Sequence, residues 1–173
     1  MGQYYTAILL DKKKEKIVGN ILPHDYRSGA KLMEHSWINN SFVQSVESII
    51  YKNPMPVVWA GDYADNEEGI DENLYCLTEE KTNLKPSNPL SRNKSRYIIN
   101  HDAKEYVDKT KCIDNGGWII HPLPLLTAEG NGRGGGDFRG DSNLVGMWSR
   151  ENISVTEDKP SEEYQEIIFE LEE

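Results

Sequence analysis

Pro56-Val57-Val58-Trp59-Ala60-Gly61 is a short, continuously apolar run. A run of this length without alternation suits a strand covered on both faces, in the middle of a sheet. Upstream, Ser41 in an N-cap position with Gln44 three residues on opens a helix. Phe42, Val43, Val46, Ile49 and Ile50 line one face of it, and it ends before Pro54. A shorter helical turn around Ala30, Leu32 and Met33 precedes it, with Asn39-Asn40 as the break. Further out, Gln3 to Leu10 and Lys16 to Leu22 are β-rich and joined by Asp11-Lys12-Lys13-Lys14-Glu15, which predicts a hairpin closed by Pro23.

Downstream, residues 66–95 read as surface loop, interrupted by a strand at Leu74 to Leu77. Arg96 to Asn100 and Lys104 to Lys109 alternate as a second hairpin, with His101-Asp102-Ala103 at its turn. Trp118 to Leu126 is expected as a buried strand that Pro122 and Pro124 confine to an edge or break. Leu144 to Trp148 reads as a strand. Tyr164 to Leu171 fits either periodicity, and its β-branched and aromatic positions favour a strand. The sum is an α+β fold, a mixed or antiparallel sheet with one main helix hairpin packed on it, in a single domain over residues 1–173.

The formal charge is −10 across 173 residues, and it is unevenly placed. Between Gly61 and Glu80 there are eight acidic residues and no Lys or Arg, whereas Lys81 to Arg96 holds five basic residues and no acid. From Glu151 onward Lys159 is the only cation. Such a surface repels phosphate backbones, so direct nucleic-acid binding is not expected, and it attracts a protein partner with a basic surface. Asp65, Glu67, Glu68, Asp71 and Glu72 are the candidate partner-binding residues. No window approaches the ~20 apolar residues of a membrane-spanning helix, and Lys12 to Lys14 follow rather than precede the first apolar run. A cytoplasmic chain without membrane attachment is the expectation. Cys76 and Cys112 lack metal-ligand or disulfide-framework spacing and read as reduced thiols.

Two constellations carry chemistry. In Glu129 to Asp141, five glycines fall within seven positions, and ordering them costs backbone entropy unless positive φ or close backbone approach is needed. Gly130, Gly132, Gly134 and Gly135 with Arg133 and Arg139 would cradle a phosphate or carboxylate, as a nucleotide-binding module does. The GxGxxG formed by Gly130, Gly132 and Gly135 does not open a helix, and no Gly-Lys-Ser/Thr follows. The second constellation is Gly61-Asp62-Tyr63-Ala64-Asp65 directly after the apolar strand, with Asn100-His101-Asp102 and His121 downstream. GDxxD followed by NHD resembles two metal-binding blocks of calcineurin-like metallophosphoesterases. That resemblance implies a divalent-metal phosphodiesterase or nuclease with Asp62, Asp65, Asn100, His101 and His121 as ligands and Asp62, His101 and His121 as catalytic candidates. The family's Asp-x-His and Gly-His-x-His blocks are absent.

Gly2-Gln3-Tyr4-Tyr5, Lys31-Leu32-Met33-Glu34-His35-Ser36, Trp59-Ala60-Gly61-Asp62-Tyr63-Ala64-Asp65 and the run from His121-Pro122-Leu123-Pro124 through Glu129-Gly130-Asn131-Gly132-Arg133-Gly134-Gly135-Gly136-Asp137 resemble uncharacterised small proteins of phages and mobile elements of low-GC bacteria. That resemblance implies an accessory protein inhibiting a host nucleic-acid-targeting defence, of the anti-CRISPR type. An acidic surface suits displacement of nucleic acid from an Arg/Lys-rich groove. The resemblance implies no catalytic residues.

Overall fold

The structure, a computed structural model, describes residues 3–114, 116–130 and 143–171. The apolar run becomes strand β3 (Met55–Gly61), buried from Pro56 to Gly61 and with strands on both edges. On one edge it pairs antiparallel with β1 (Tyr5–Leu10), which in turn pairs with β2 (Ile17–Ile21) in the expected hairpin. The other edge of β3 is shared. Its start pairs with β7 (Asn152–Thr156) and its end runs parallel to the two-residue β6 (Ala128–Glu129). Between them Arg150 donates its backbone N–H to the Val57 carbonyl at 3.0 Å, so this residue sits at the seam.

The second expected hairpin is β4 (Tyr97–Asn100) and β5 (Glu105–Asp108), and β4 joins the sheet through β7. At the far edge β8 (Gln165–Glu166) lies parallel to β5, so of the stretch expected as a strand from Tyr164 to Leu171 only two residues pair. The order is β2-β1-β3-β7-β4-β5-β8, a mostly antiparallel mixed sheet, with β6 on β3. The fold is α+β.

One face of the sheet carries the helices. Helix α2 (Ser41–Ile50) buries Phe42, Val43, Val46 and Ile50 against Trp59, Val57, Ile98 and Val155. Short α1 (Leu32–His35) adds Leu32 to the same core. The cap of α2 is Asn40, one residue before the expected Ser41: its Oδ1 accepts from the Phe42 and Val43 N–H groups. Its Nδ2 donates to the His35 carbonyl at 2.7 Å and to Ser28 Oγ at 3.0 Å, which a serine hydroxyl could not do from this position. Asn40→Ala is therefore expected to cost about 1–2 kcal/mol, more than a surface cap, as read from the urea midpoint.

Three expected strands take other forms. Pro122 to Leu126 is a helical turn, α3, not a strand. Both prolines fall in its first turn, where N–H groups have no intrahelical acceptor, so the residues that forbid a central strand are tolerated here. Leu74 to Leu77 forms turns, because Asn73 Oδ1 accepts from the Cys76 N–H and its Nδ2 donates to the carbonyls of Asp62 and Ala64. Leu144 to Trp148 is also a run of turns, docked by Gly146 N–H on Leu125 O and Trp148 N–H on Leu126 O. Gly146 has φ +79°, which a strand does not accommodate. No helix among the described residues is long and apolar enough to cross a membrane.

The opposite face of the sheet is covered by loops. Leu74 and Tyr75 pack on Ile8, Leu10, Val58 and Ala60, and Tyr164 packs on Tyr97, Ile99 and Tyr106. The pairs Ile8↔Val58, Pro56↔Asn152, Ser154↔Ile99 and Ile99↔Tyr106 place both clusters on one face, because directly paired residues point to the same side.

Candidate functional site

The five residues of the metallophosphoesterase-like pattern do not converge. Asn100 pairs with Ile153, and Ile153 pairs with Met55, so His101 lies near the start of β3, whereas Asp62 follows its end. Six residues of strand at ~3.3 Å each separate the two by about 20 Å. Metal ligands must lie within about 2.0–2.6 Å of one ion. Among the described residues no group of three His, Cys, Asp or Glu side chains is placed to hold a metal.

Four of these residues, all but the exposed Asp65, have local work instead. Asp62 closes the sheet end: its N–H donates to Tyr4 O at 2.9 Å and its Oδ1 accepts from Tyr4 N–H at 3.1 Å. Asn100 is fully buried and its Oδ1 accepts from the Asp102 and Ala103 N–H groups, both at 3.0 Å, which forms the hairpin turn. His101 has both ring nitrogens engaged, Nδ1 with Tyr164 Oη at 3.1 Å and Nε2 with Ser154 Oγ at 2.7 Å. Burial pushes this imidazole below its ordinary range, with Asp102 opposing. Asp102 takes Lys14 Nζ at 2.8 Å and the Asn152 backbone N–H at 3.0 Å; burial pushes its carboxyl up, and these hydrogen bonds outweigh that and hold it well below the carboxylate range.

His121 lies in the helix layer, 1% exposed, and caps α3 with Nδ1 accepting from Leu123 N–H at 3.1 Å. Its Nε2 lies 3.0 Å from Glu47 Oε1, and the Lys109 ammonium lies 2.6 Å from Glu47 Oε2 and 2.7 Å from Ser95 Oγ. Because Nδ1 accepts, the proton of the neutral ring is on Nε2, where it donates to the carboxylate. Burial pushes the Glu47 carboxyl up, but the facing imidazole and ammonium outweigh it and hold the group at about 2. Burial pushes His121 below its ordinary range, with Glu47 pulling it back. All three side chains are at most 3% exposed, so no substrate reaches them: this is a core polar network, joining α2, the turn after β5 and α3. One sign of it stands in the sequence. Glu47 falls on the apolar stripe of α2, four residues after Val43 and three before Ile50, where an unpaired carboxylate would be costly. Its partners come from more than 60 residues away.

The acidic segment is more than a solvated loop. Glu67 accepts a bidentate pair from Arg150, both contacts at 2.8 Å, and Arg150 also forks onto Glu129 at 2.6 and 2.8 Å, while Ser149 Oγ donates to Glu129 as well. Arg150 adopts φ +65° to do so, an unfavourable backbone region for a non-glycine residue. Burial pushes Glu129 up, and Arg150 and Ser149 more than offset it, so its carboxyl stays below the usual range. Hydrogen bonds to Glu129 and then Glu67 push the guanidinium still higher than its ordinary value. With Glu67 clamped at one point and Leu74 buried at another, Asp65, Glu68, Asp71 and Glu72 face solvent, and among the described residues none of these four has an ion-pair partner.

Arg150, Glu67 and Asp65 also line a cleft of about 380 Å³ that reaches Gly130. The Gly130 backbone lies so close to Tyr5 Oη and Gln3 Oε1 that a Cβ there would collide, which accounts for this glycine by close approach. Gly132, Arg133, Gly134, Gly135 and Arg139 lie outside the described residues. No protein family, curated protein or solved structure matches the chain.

Proposed function

We propose that this protein acts by binding rather than by catalysis, as a phage or mobile-element accessory protein of the anti-CRISPR type that covers a basic, nucleic-acid-binding surface of a host defence effector. The observation that carries this reading is the gathering of acidic stretches on one face of the sheet. Two acidic stretches distant in sequence lie over the same face: the loop anchored by Leu74, with exposed Asp65, Glu68, Asp71, Glu72, Glu79 and Glu80, and the segment anchored by Tyr164, with exposed Glu162 and Glu163. The middle of the basic stretch crosses to the helix side, where Leu84 joins the helix-face core and Leu90 N–H donates to Gln44 O on α2, while its ends stay with the loop face, Lys81 on Glu79 and Arg96 over the Tyr97 ring. One face therefore gathers carboxylates from both stretches, with Glu79 paired to Lys81 and Glu163 to Lys104 among them, and its unpaired carboxylates are complementary to an Arg/Lys-lined groove and of the same sign as the phosphates it would displace.

The test is competition. Effector nuclease is loaded with labelled nucleic acid in the presence of the protein at low and high salt. The expected result is reduced loading that weakens as salt rises. The variant Asp65→Asn/Glu68→Gln/Asp71→Asn/Glu72→Gln is expected to lose most of the effect while keeping the wild-type melting temperature, since these carboxylates make no ion pairs among the described residues. Manganese-dependent phosphodiester cleavage abolished by Asp62→Ala or His101→Ala would reject the binding reading in favour of the metallohydrolase.

A further inference from the structure

Trp59 and Trp148 are buried, whereas Trp118 is 40% exposed and Trp37 is half-buried. The two indoles meet, with ring centroids 5.2 Å apart, and the His35 ring lies 6.0 Å from Trp37. Short extended segments hold them: Ile38 N–H donates to Ile119 O, His121 N–H donates to Ser36 O, both at 2.8 Å, and Trp37 bridges Ile120. The indoles are thus fixed on a scaffold tied directly to α1 and α3, ending in an open aromatic surface at Trp118.

Beside them is a cavity of about 420 Å³ whose polar lining is Arg92, Asp114 and Asn39. Arg92 is exposed, shares its 3₁₀ turn with exposed Lys94, and among the described residues has no carboxylate within ion-pair distance. A second hollow of about 200 Å³ shares Trp37 and Asn39 and carries Arg27. This cleft lies on the helix side, away from the carboxylate face.

We infer that the Trp37/Trp118 cleft is a binding site for a nucleoside monophosphate, with the base stacked on Trp118 and the phosphate held by Arg92. An indole offers its face to any base, and a guanidinium fork fits phosphate oxygens. The cavity volume falls within the ~300–1,000 Å³ of small-molecule sites. Size is set by charge. A single phosphate needs only the local cation, whereas a long polyphosphate backbone meets the −10 charge of the whole chain. The site is independent of the carboxylate face, so either assignment can fail without the other.

The four ribonucleoside monophosphates, the corresponding nucleosides and inorganic phosphate are titrated into the full chain. The readout is the four tryptophan indole N–H resonances. Saturable shifts of Trp37 and Trp118, without shifts of Trp59 or Trp148, are expected for at least one monophosphate. Trp118→Ala is expected to abolish them, and Trp118→Phe to retain weaker binding. Losing the charged hydrogen bonds in Arg92→Ala should weaken the monophosphate by about tenfold and leave the nucleoside unchanged. No saturable change at millimolar monophosphate, an equal response to inorganic phosphate alone, or unaltered affinity in Trp118→Ala would overturn the assignment. So would sensitivity to Arg133→Ala and Arg139→Ala in place of Arg92→Ala, which would move the ligand to the glycine-rich segment. Loss of protein-partner capture in Trp118→Ala without any nucleotide response would make the indoles a protein contact instead.

Discussion

Lys109→Met is expected to destabilise the protein by about 3–5 kcal/mol, the cost of leaving a buried charge without its partner. The ammonium is 3% exposed and lies 2.6 Å from a carboxylate that is 1% exposed, so no water replaces it when it is removed. Glu47→Gln/Lys109→Met should recover much of that loss, because the glutamine carbonyl still accepts from His121 and no charge remains. A urea series on the two variants decides the matter, and a single variant within about 1 kcal/mol of wild type would show that the network tolerates an unpaired carboxylate.

The same network sets an acid limit. His121 protonates near 6.5 in the unfolded chain and less readily when folded, so its contribution is complete above that pH and is lost as pH falls toward the lower folded value. Glu47 goes from 4.5 unfolded to about 2 folded, so its contribution is complete above 4.5 and is lost as pH falls through 2. Stability should therefore fall in two stages on acidification. His121→Gln is expected to remove the first, seen as a flatter urea midpoint between pH 7 and pH 5.

Arg150→Met is the second large effect, with an expected cost of about 2–4 kcal/mol, since it leaves the carboxylates of Glu67 and Glu129 facing each other with no cation between. Both are about three-quarters shielded from solvent, so water screens them only in part. Amide exchange across residues 64–77 should rise with it, because the clamp and Leu74 are the two anchors of that loop. Arg150→Gly separates side chain from backbone. It loses the same guanidinium but relaxes φ +65°, so it should be less damaging than Arg150→Met by on the order of 1 kcal/mol. If the carboxylate face works as a fixed array, both variants should also weaken partner binding in proportion to the loosening of the loop.

Local pattern was enough for the hairpins and the main helix. The alternation in 97–108 marks a hairpin, the apolar run at 56–61 a central strand, and the stripe of Phe42, Val43, Val46 and Ile50 one helix face. Where short apolar stretches carried prolines or glycines, pattern was insufficient. Pro122 and Pro124 argue against a central strand, yet it took the capping His121 and its buried neighbours to make that stretch a helical turn. Leu74 to Leu77 reads as a strand from its short apolar run, but Asn73 ties the backbone into turns that set Leu74 and Tyr75 on the sheet instead of in it.

The candidate site divides the same way. The carboxylates of 62–80 belong to the chain as written, and so does the repulsion of phosphate backbones that follows from its charge, whereas Trp118, expected in a buried strand, is exposed only by the way its segment docks. That GDxxD and NHD stand at opposite ends of the sheet depends on strand order, because β7 rather than β4 lies against β3, and no local spacing encodes that. The pairing of Glu47 with Lys109, the clamp of Arg150 on Glu67, and the gathering of two acidic stretches on one face likewise join residues 62, 83 and about 90 positions apart. Charge and periodicity are properties of short windows and could be read directly; which charges meet, and which face water together, was decided by sheet register and by the burial that makes an unpaired partner too costly to keep.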